Sequence, residues 1–298
     1  MSEAVRPQQP QPTWIPPDER AEHALCLGRD GVLRELDRLL FEQAQKVVRL
    51  RGEPGRGKSA LLSQYLQDLE QGARGGPPPS SQSKPGLLSR LLGKRPQAEP
   101  RRVPHVFLRR EAGTTLGTSA AEVATALAEQ IEALYPDCRD PQAMPEARLC
   151  ELLSRVAATA LATSKQRLVL VVDGIDAVCG PEPGDEAGEL RLLRLLPQPL
   201  PDAVAVLCAT DSREPLTELG LSDGVDVDLA DPRWQGEAAV AAFWKHHAER
   251  MAPRLPEAVW REAAVRADGN LLHAALVRAL FLTLPPEHAY VDCRLGHP

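Results

Sequence analysis

Residues Gly52-Glu53-Pro54-Gly55-Arg56-Gly57-Lys58-Ser59 match the pattern GxxxxGK(S/T) in full. The residue types point to phosphate chemistry. A phosphate group needs many N–H donors converging on one point, so the backbone must curl into a loop. Gly52, Gly55 and Gly57 permit the backbone angles and the close approach. A helix starting at the end of the loop, through Ser59 and Ala60, aims its free N–H groups and positive dipole end at the anion. Lys58 has the length and charge to reach outer phosphates, and the Ser59 hydroxyl suits Mg²⁺. The competing reading is a chance Gly-rich turn. The flanks argue against it: KVVRLRG is a short β-branched run, and SALLSQYLQDLEQ has helical spacing. Strand, turn and helix therefore follow one another directly, which is the context a phosphate loop requires.

A second constellation lies at Leu168-Val169-Leu170-Val171-Val172-Asp173-Gly174-Ile175-Asp176. A buried strand ending in an acid delivers a carboxylate to the edge of a parallel sheet, where open α/β folds bind ligands. Asp173 is the expected Mg²⁺ holder, directly or through water. Asp176 has the spacing to orient or deprotonate a water, and a turn-capping role is equally open. The third candidate is the end of the strand AVAVLCAT, followed by Asp211, Ser212 and Arg213. A polar or basic group there, Arg213 above all, is placed to sense a terminal phosphate; an ordinary solvent-facing loop is the alternative. His246 and His247 sit in a helical stretch without partners at metal spacing and read as surface or packing residues. No Ser–His–Asp or Cys–His arrangement is legible.

The elements that must position these groups alternate. CLGRDGVLRELDRLLFEQ is helical by spacing, VPHVFLRR is a strand, and Ser119–Leu134 and Glu146–Ala162 are helical. RLVLVVDG is a strand, GELRLLRLL a helix, AVAVLCATDS a strand and VDVDL a weak last strand. Alternation of this kind predicts an α/β fold, a parallel sheet covered on both faces. From about Trp234 onward the pattern is helical only, which predicts a small all-helical domain. The expected organisation is a Pro/Gln-rich disordered tail over 1–22, a phosphate-loop core over 23–232, a helical lid over 233–285 and a tail over 286–298. The core is interrupted over 73–102 by a low-complexity segment with seven basic residues against one acid, Glu99. That insertion reads as solvated, or as a contact for an anionic membrane or partner.

Composition narrows the classes. Hydrophobic residues make up 43% and aromatic residues only 4%, so the core must be aliphatic. A net charge of −6 goes against a surface that coats nucleic acid. No run of about 18 apolar residues exists to span a membrane, and the N-terminal MSEAVRPQQPQPTW lacks a signal-peptide core. The six cysteines are widely spaced with no CxxC, which predicts reduced thiols in an intracellular, cytoplasmic protein.

Taken together these segments resemble the STAND class of P-loop NTPases, in particular its NACHT-like members. CLGRDGVLRELDRLL is similar to the Gly-Arg segment before the class's phosphate loop, RGEPGRGKSALL to the loop, LVLVVDGIDAV to the metal-binding strand, and GNLLHAAL to a segment of the helical domain. The resemblance covers about residues 25–284. It implies a five-stranded parallel sheet with a helical lid, ATP or ADP with Mg²⁺ as ligands, and Gly28 and Arg29 near the adenine. It also implies a role for Gly269 in the helical segment. The class acts as a regulatory switch between an ADP-bound off state and an ATP-bound state that assembles, with self-association or protein partners. Two departures stand out. Ala177 occupies a place where members often carry an acid, and Leu271 a place where proline is common. Members also continue beyond the helical domain, whereas this sequence stops at Pro298, as a truncated chain or a short member would. A weakly hydrolysing switch is thus the leading expectation. An AAA+ or origin-recognition type motor or loader, and a non-hydrolysing nucleotide scaffold, are the alternatives.

Overall fold

The computed structural model describes residues 28–72, 103–108, 119–140, 147–162, 167–175, 196–197, 199–211, 224–234, 236–251 and 257–283. The tail 1–22, the insertion 73–102, the GELRLLRLL run up to residue 195 and the end 286–298 lie outside them.

Helix α1, Asp30–Asp37, runs into a π turn at Arg38–Glu42 and leads to strand β1, Val47–Arg51. Helix α2, Lys58–Glu70, follows, then β2, His105–Phe107. Helices α3, Ala120–Leu134, and α4, Arg148–Val156, precede β3, Leu168–Asp173. Strands β4, Val204–Thr210, and β5, Gly224–Asp228, complete the sheet. Three helices end the described chain: α5, Gly236–Met251, α6, Glu257–Arg266, and α7, Leu271–Thr283.

The five strands lie in the order β2-β3-β4-β1-β5, and every neighbouring pair is parallel. Parallel strands need helical crossovers, which cover both faces and bury the strands on both sides. Accordingly every residue of β3 and β4 is buried. The period of two splits β1 between the layers. Val47 packs in the layer of α3 and α4, with Leu127, Leu153 and Val206. Val48 and Leu50 pack in the layer of α1 and α2, with Leu36, Leu62 and Leu207. Helix α3 begins where its sequence dictates: the Glu122 N–H donates to the Ser119 hydroxyl at 3.2 Å, and the Ser119 N–H donates back to the Glu122 carboxylate at 2.7 Å.

One feature runs against the apolar pattern of β1. Arg49 is fully buried in it. Its guanidinium grips Asp226 of β5 with both arms, at 2.8 and 3.1 Å, and Arg51 adds a bond to the same carboxylate at 3.0 Å. The register explains the match, since Arg49 lies directly across from Asp226. This ionic clamp ties the edge strand to the strand that carries the loop.

Helices α5, α6 and α7 pack around their own small cluster of Val240, Trp244, Ala264, Ala267 and Ala274. No described helix is long and apolar enough to cross a membrane. Among the described cysteines, Cys138, Cys150 and Cys208 are in no disulfide.

The clamp yields a test. Removing one partner of a buried ion pair strands the other charge, at about 3 kcal/mol. Asp226→Ala should lower unfolding free energy by about that amount in a urea melt. A loss below about 1 kcal/mol would show that the clamp is incidental to the sheet.

Candidate functional site

The loop between β1 and α2 emerges at the C-terminal edge of the sheet, where the ends of β3 and β4 also lie. Gly55 and Gly57 have φ of 85° and 84°, a left-handed backbone that favours glycine. An Arg56 N–H to Glu53 carbonyl bond of 3.2 Å closes the turn, and the Leu61 N–H to Gly57 carbonyl bond of 2.9 Å opens the helix. Gly57 occupies the cap position of α2 and supplies no side-chain cap. The first-turn N–H groups of a 13-residue helix thus meet no capping oxygen, which is the donor set an anion needs. Ser59 and Ala60 lie in that first turn.

Lys58 curls over its own loop. Its ammonium donates to the Gly52 carbonyl at 2.7 Å, to the Glu53 carbonyl at 3.2 Å and to the carboxylate of Asp211, just past β4. Asp173 ends β3 and is buried, at 5% exposure. Its carbonyl accepts from Leu108 at 2.9 Å. The chain leaves Asp173 through Gly174 at φ 69°, where a Cβ would lie 2.6 Å from the Leu108 carbonyl oxygen, so the sharp exit requires glycine. No cluster of three or more His, Cys, Asp or Glu exists among the described residues. A donor set of one hydroxyl, Ser59, and one carboxylate, Asp173, fits a Mg²⁺ that takes its remaining ligands from phosphate and water.

The two segments flanking the core both reach this loop. Arg29 is buried, and its guanidinium donates to the Arg56 carbonyl at 3.1 Å, so it supports the loop backbone. Gly28, at φ 73°, packs so close to α5 that a Cβ would lie 3.0 Å from the Ala239 Cα. Trp234 packs against the core cluster formed by the sheet with α1 and α2, with the Arg233 guanidinium 5.1 Å from its ring centroid. Arg233 also bonds Asp231 and holds that carboxyl below the usual carboxylate range.

The turn between α6 and α7 rests on the loop. Asp268 and Gly269 both have positive φ, 44° and 74°, which reverses the chain. The Asn270 side chain caps α7, accepting from His273 N–H at 2.9 Å, and donates to the Pro54 carbonyl at 3.3 Å. The Leu272 N–H donates to the Gly55 carbonyl at 3.2 Å, and the Arg56 guanidinium donates to the Asp268 carbonyl. A Cβ on Gly55 would collide with Asn270, and one on Gly57 would lie 2.6 Å from a Leu271 methyl.

Of the sequence-predicted residues, Gly52, Glu53, Pro54, Gly55, Arg56, Gly57, Lys58, Ser59 and Ala60 lie in this loop or the first turn after it, Arg29 bonds it, Gly28 packs on α5, and Gly269 lies in the turn seated on the loop. Asp173 lies at the same sheet edge. Asp176, Ala177, Ser212 and Arg213 lie outside the described residues. Sequence reasoning missed Asp268 and Asn270. The available signal was an Asn just before an apolar helical run, a helix-cap pattern.

Residues 25–208, more than half of the chain, match the family model described as AAA ATPase domain. No curated protein matches the sequence significantly. Among solved structures, a Walker-type ATPase of Pyrococcus abyssi is similar at 13% identity, with 89% of this chain and 70% of that one covered and a TM-score of 0.54. The Orc1 protein of Aeropyrum pernix, solved in complex with DNA, is similar at 20% identity and a TM-score of 0.48, over 90% of this chain. The chain spans 64% of the length of that Orc1 chain. The likeness to the Pyrococcus protein is one of fold, and in this chain that fold is a five-stranded parallel α/β sheet. On the strength of the family match, the chain belongs to the AAA ATPase domain family.

Proposed function

We propose that this chain binds ATP and ADP with Mg²⁺ and works as a nucleotide-dependent conformational or assembly switch with slow ATP hydrolysis. The observation that carries the reading is the seat of the α6–α7 turn on the phosphate loop. The carbonyls of Pro54 and Gly55 are bonded to residues of the helical unit, so that unit acts as a lid sensitive to the loop's state. Phosphates entering the loop order its N–H groups, and any adjustment of Pro54 or Gly55 reaches α7 through two hydrogen bonds. Bound Mg²⁺–ATP supplies the scissile phosphate and the cation that neutralises developing charge. In this reading Lys58 binds outer phosphates, Ser59 and Asp173 hold the metal, and Asp176 orients water. Arg213 senses the terminal phosphate.

The STAND-class assignment goes further than the family match. It rests on the combination of the four segments CLGRDGVLRELDRLL, RGEPGRGKSALL, LVLVVDGIDAV and GNLLHAAL. A cytoplasmic protein with protein partners or self-association, and without nucleic acid, suits the net charge of −6. The second reading is an AAA+ or origin-recognition type motor or loader, and the AAA ATPase domain match favours it. Turnover separates the two. A switch should hydrolyse at well under about one per second, and a motor faster.

Two measurements test the binding and the coupling. Lys58→Ala should weaken ADP and ATP by about tenfold or more in calorimetry, because a charge-assisted phosphate contact is lost. Asp173→Asn should reduce affinity in Mg²⁺ to the value seen in EDTA. Unchanged affinity in Lys58→Ala would reject the site. For the coupling, Gly55→Ala imposes strain of about 1–3 kcal/mol and a collision with Asn270. It should speed amide exchange at 271–274 while the amides of β3 and β4 stay protected. Equal protection at 271–274 in variant and parent would mean the lid contact does not depend on the loop.

A further inference from the structure

We infer that Asp211 sets the nucleotide preference of this site, acting as a built-in anion that competes with the terminal phosphate of ATP for Lys58. The inference rests on the nucleotide-binding reading above and adds a specificity-determining residue to it.

An ammonium has three N–H donors and no acceptor. Lys58 has three acceptors around it, the carbonyls of Gly52 and Glu53 and the carboxylate of Asp211. Its donors are therefore all engaged. Two of the acceptors belong to its own loop and stay with it as the loop moves. The third comes from 153 residues away and is the only anion of the three. Its place is fixed by the sheet. Thr210, the residue before it, is fully buried and pairs in register with Arg51, the last residue of β1. The ends of β1 and β4 thus lie side by side, and Asp211 stands beside the base of the loop. Lys58 is nearly buried, with a side chain 10% exposed, whereas Asp211 is 40% exposed and open to the solvent side.

A phosphate that bonds Lys58 must take a donor from one of these three groups. The carboxylate is the one acceptor of the three that is a side chain outside the loop, and it is also the one that repels an incoming anion. Two like charges sharing one cation a few ångströms apart oppose each other strongly where solvent screening is reduced. ATP extends one phosphate beyond ADP and carries the greater charge to this spot. The penalty thus falls mainly on the triphosphate, and the site takes the diphosphate more readily than a neutral residue at 211 would allow. The opposite role, a polar group at 211 that helps hold the terminal phosphate, gives the opposite sign on substitution.

Calorimetric titrations of the full chain with ATP and ADP in Mg²⁺, for the parent, Asp211→Asn and Asp211→Ser, decide the matter. Asn keeps the shape and removes the charge; Ser serves if Asn fails to fold. We expect ATP to bind about fivefold tighter in either variant, the size of one partly exposed ion pair, with ADP changing less than about twofold. Unchanged or weaker ATP binding in the folded variants overturns the role of Asp211 and leaves the nucleotide site standing. Failure of parent and variants alike to bind either nucleotide overturns both.

Discussion

The site depends on one turn of backbone, Gly55–Gly57, held in the left-handed region at two positions. A phosphate loop needs that backbone to converge its N–H groups. Here the same two glycines also leave the space into which Asn270 and Leu271 of the helical unit settle. A side chain at 55 would press on Asn270 and one at 57 on Leu271, each on top of the cost of a left-handed backbone. Ligand site and inter-element contact are therefore made from the same atoms, and a change at one is a change at the other.

The parallel sheet makes this economical. Because β1, β3 and β4 run the same way, their C-terminal ends carry Gly52, Asp173 and Asp211 to a single edge although the chain separates them widely. The central strands are held by apolar burial on both faces. The edge strand β5 has one exposed end residue and a mixed pattern, and its tie to the core is ionic, through Asp226 to Arg49 and Arg51. Those arginines lie in the strand that launches the loop, so the clamp fixes the strand that fixes the site.

What could be read from the sequence was what is local. The loop is eight contiguous residues, Ser119 and Glu122 are three apart, and the strands β3 and β4 are uninterrupted apolar runs. The final helices also fall where apolar spacing puts them. What could not be read was long-range. Arg49 interrupts the apolar residues Val48 and Leu50 of β1, and its partner Asp226 lies 177 residues on, chosen by strand order. Asn270 meets Pro54 across 216 residues, and no spacing rule links them. Asp211 stood in a candidate segment beside Arg213, and its contact with Lys58 was not legible, because it follows from the end of β4 lying beside the base of the loop.

Sharing of partners also explains why such a site suits exchange between states. Lys58, Arg56 and Arg29 each bond loop or turn carbonyls as well as, for the first two, an acidic residue. Single contacts of this kind, partly exposed, are each worth only about 0.5–1.5 kcal/mol net. A set of three or four holds the helical unit against the loop firmly enough to define one arrangement. It still remains within reach of the differential binding energy that one extra phosphate supplies, since a shift of about 1.4 kcal/mol changes a two-state ratio tenfold. A contact built from a large apolar interface would lack that sensitivity, because no single charge could tip it. Under the proposed switch, the small polar seat between α7 and the loop is the property that would let nucleotide identity be read as lid position.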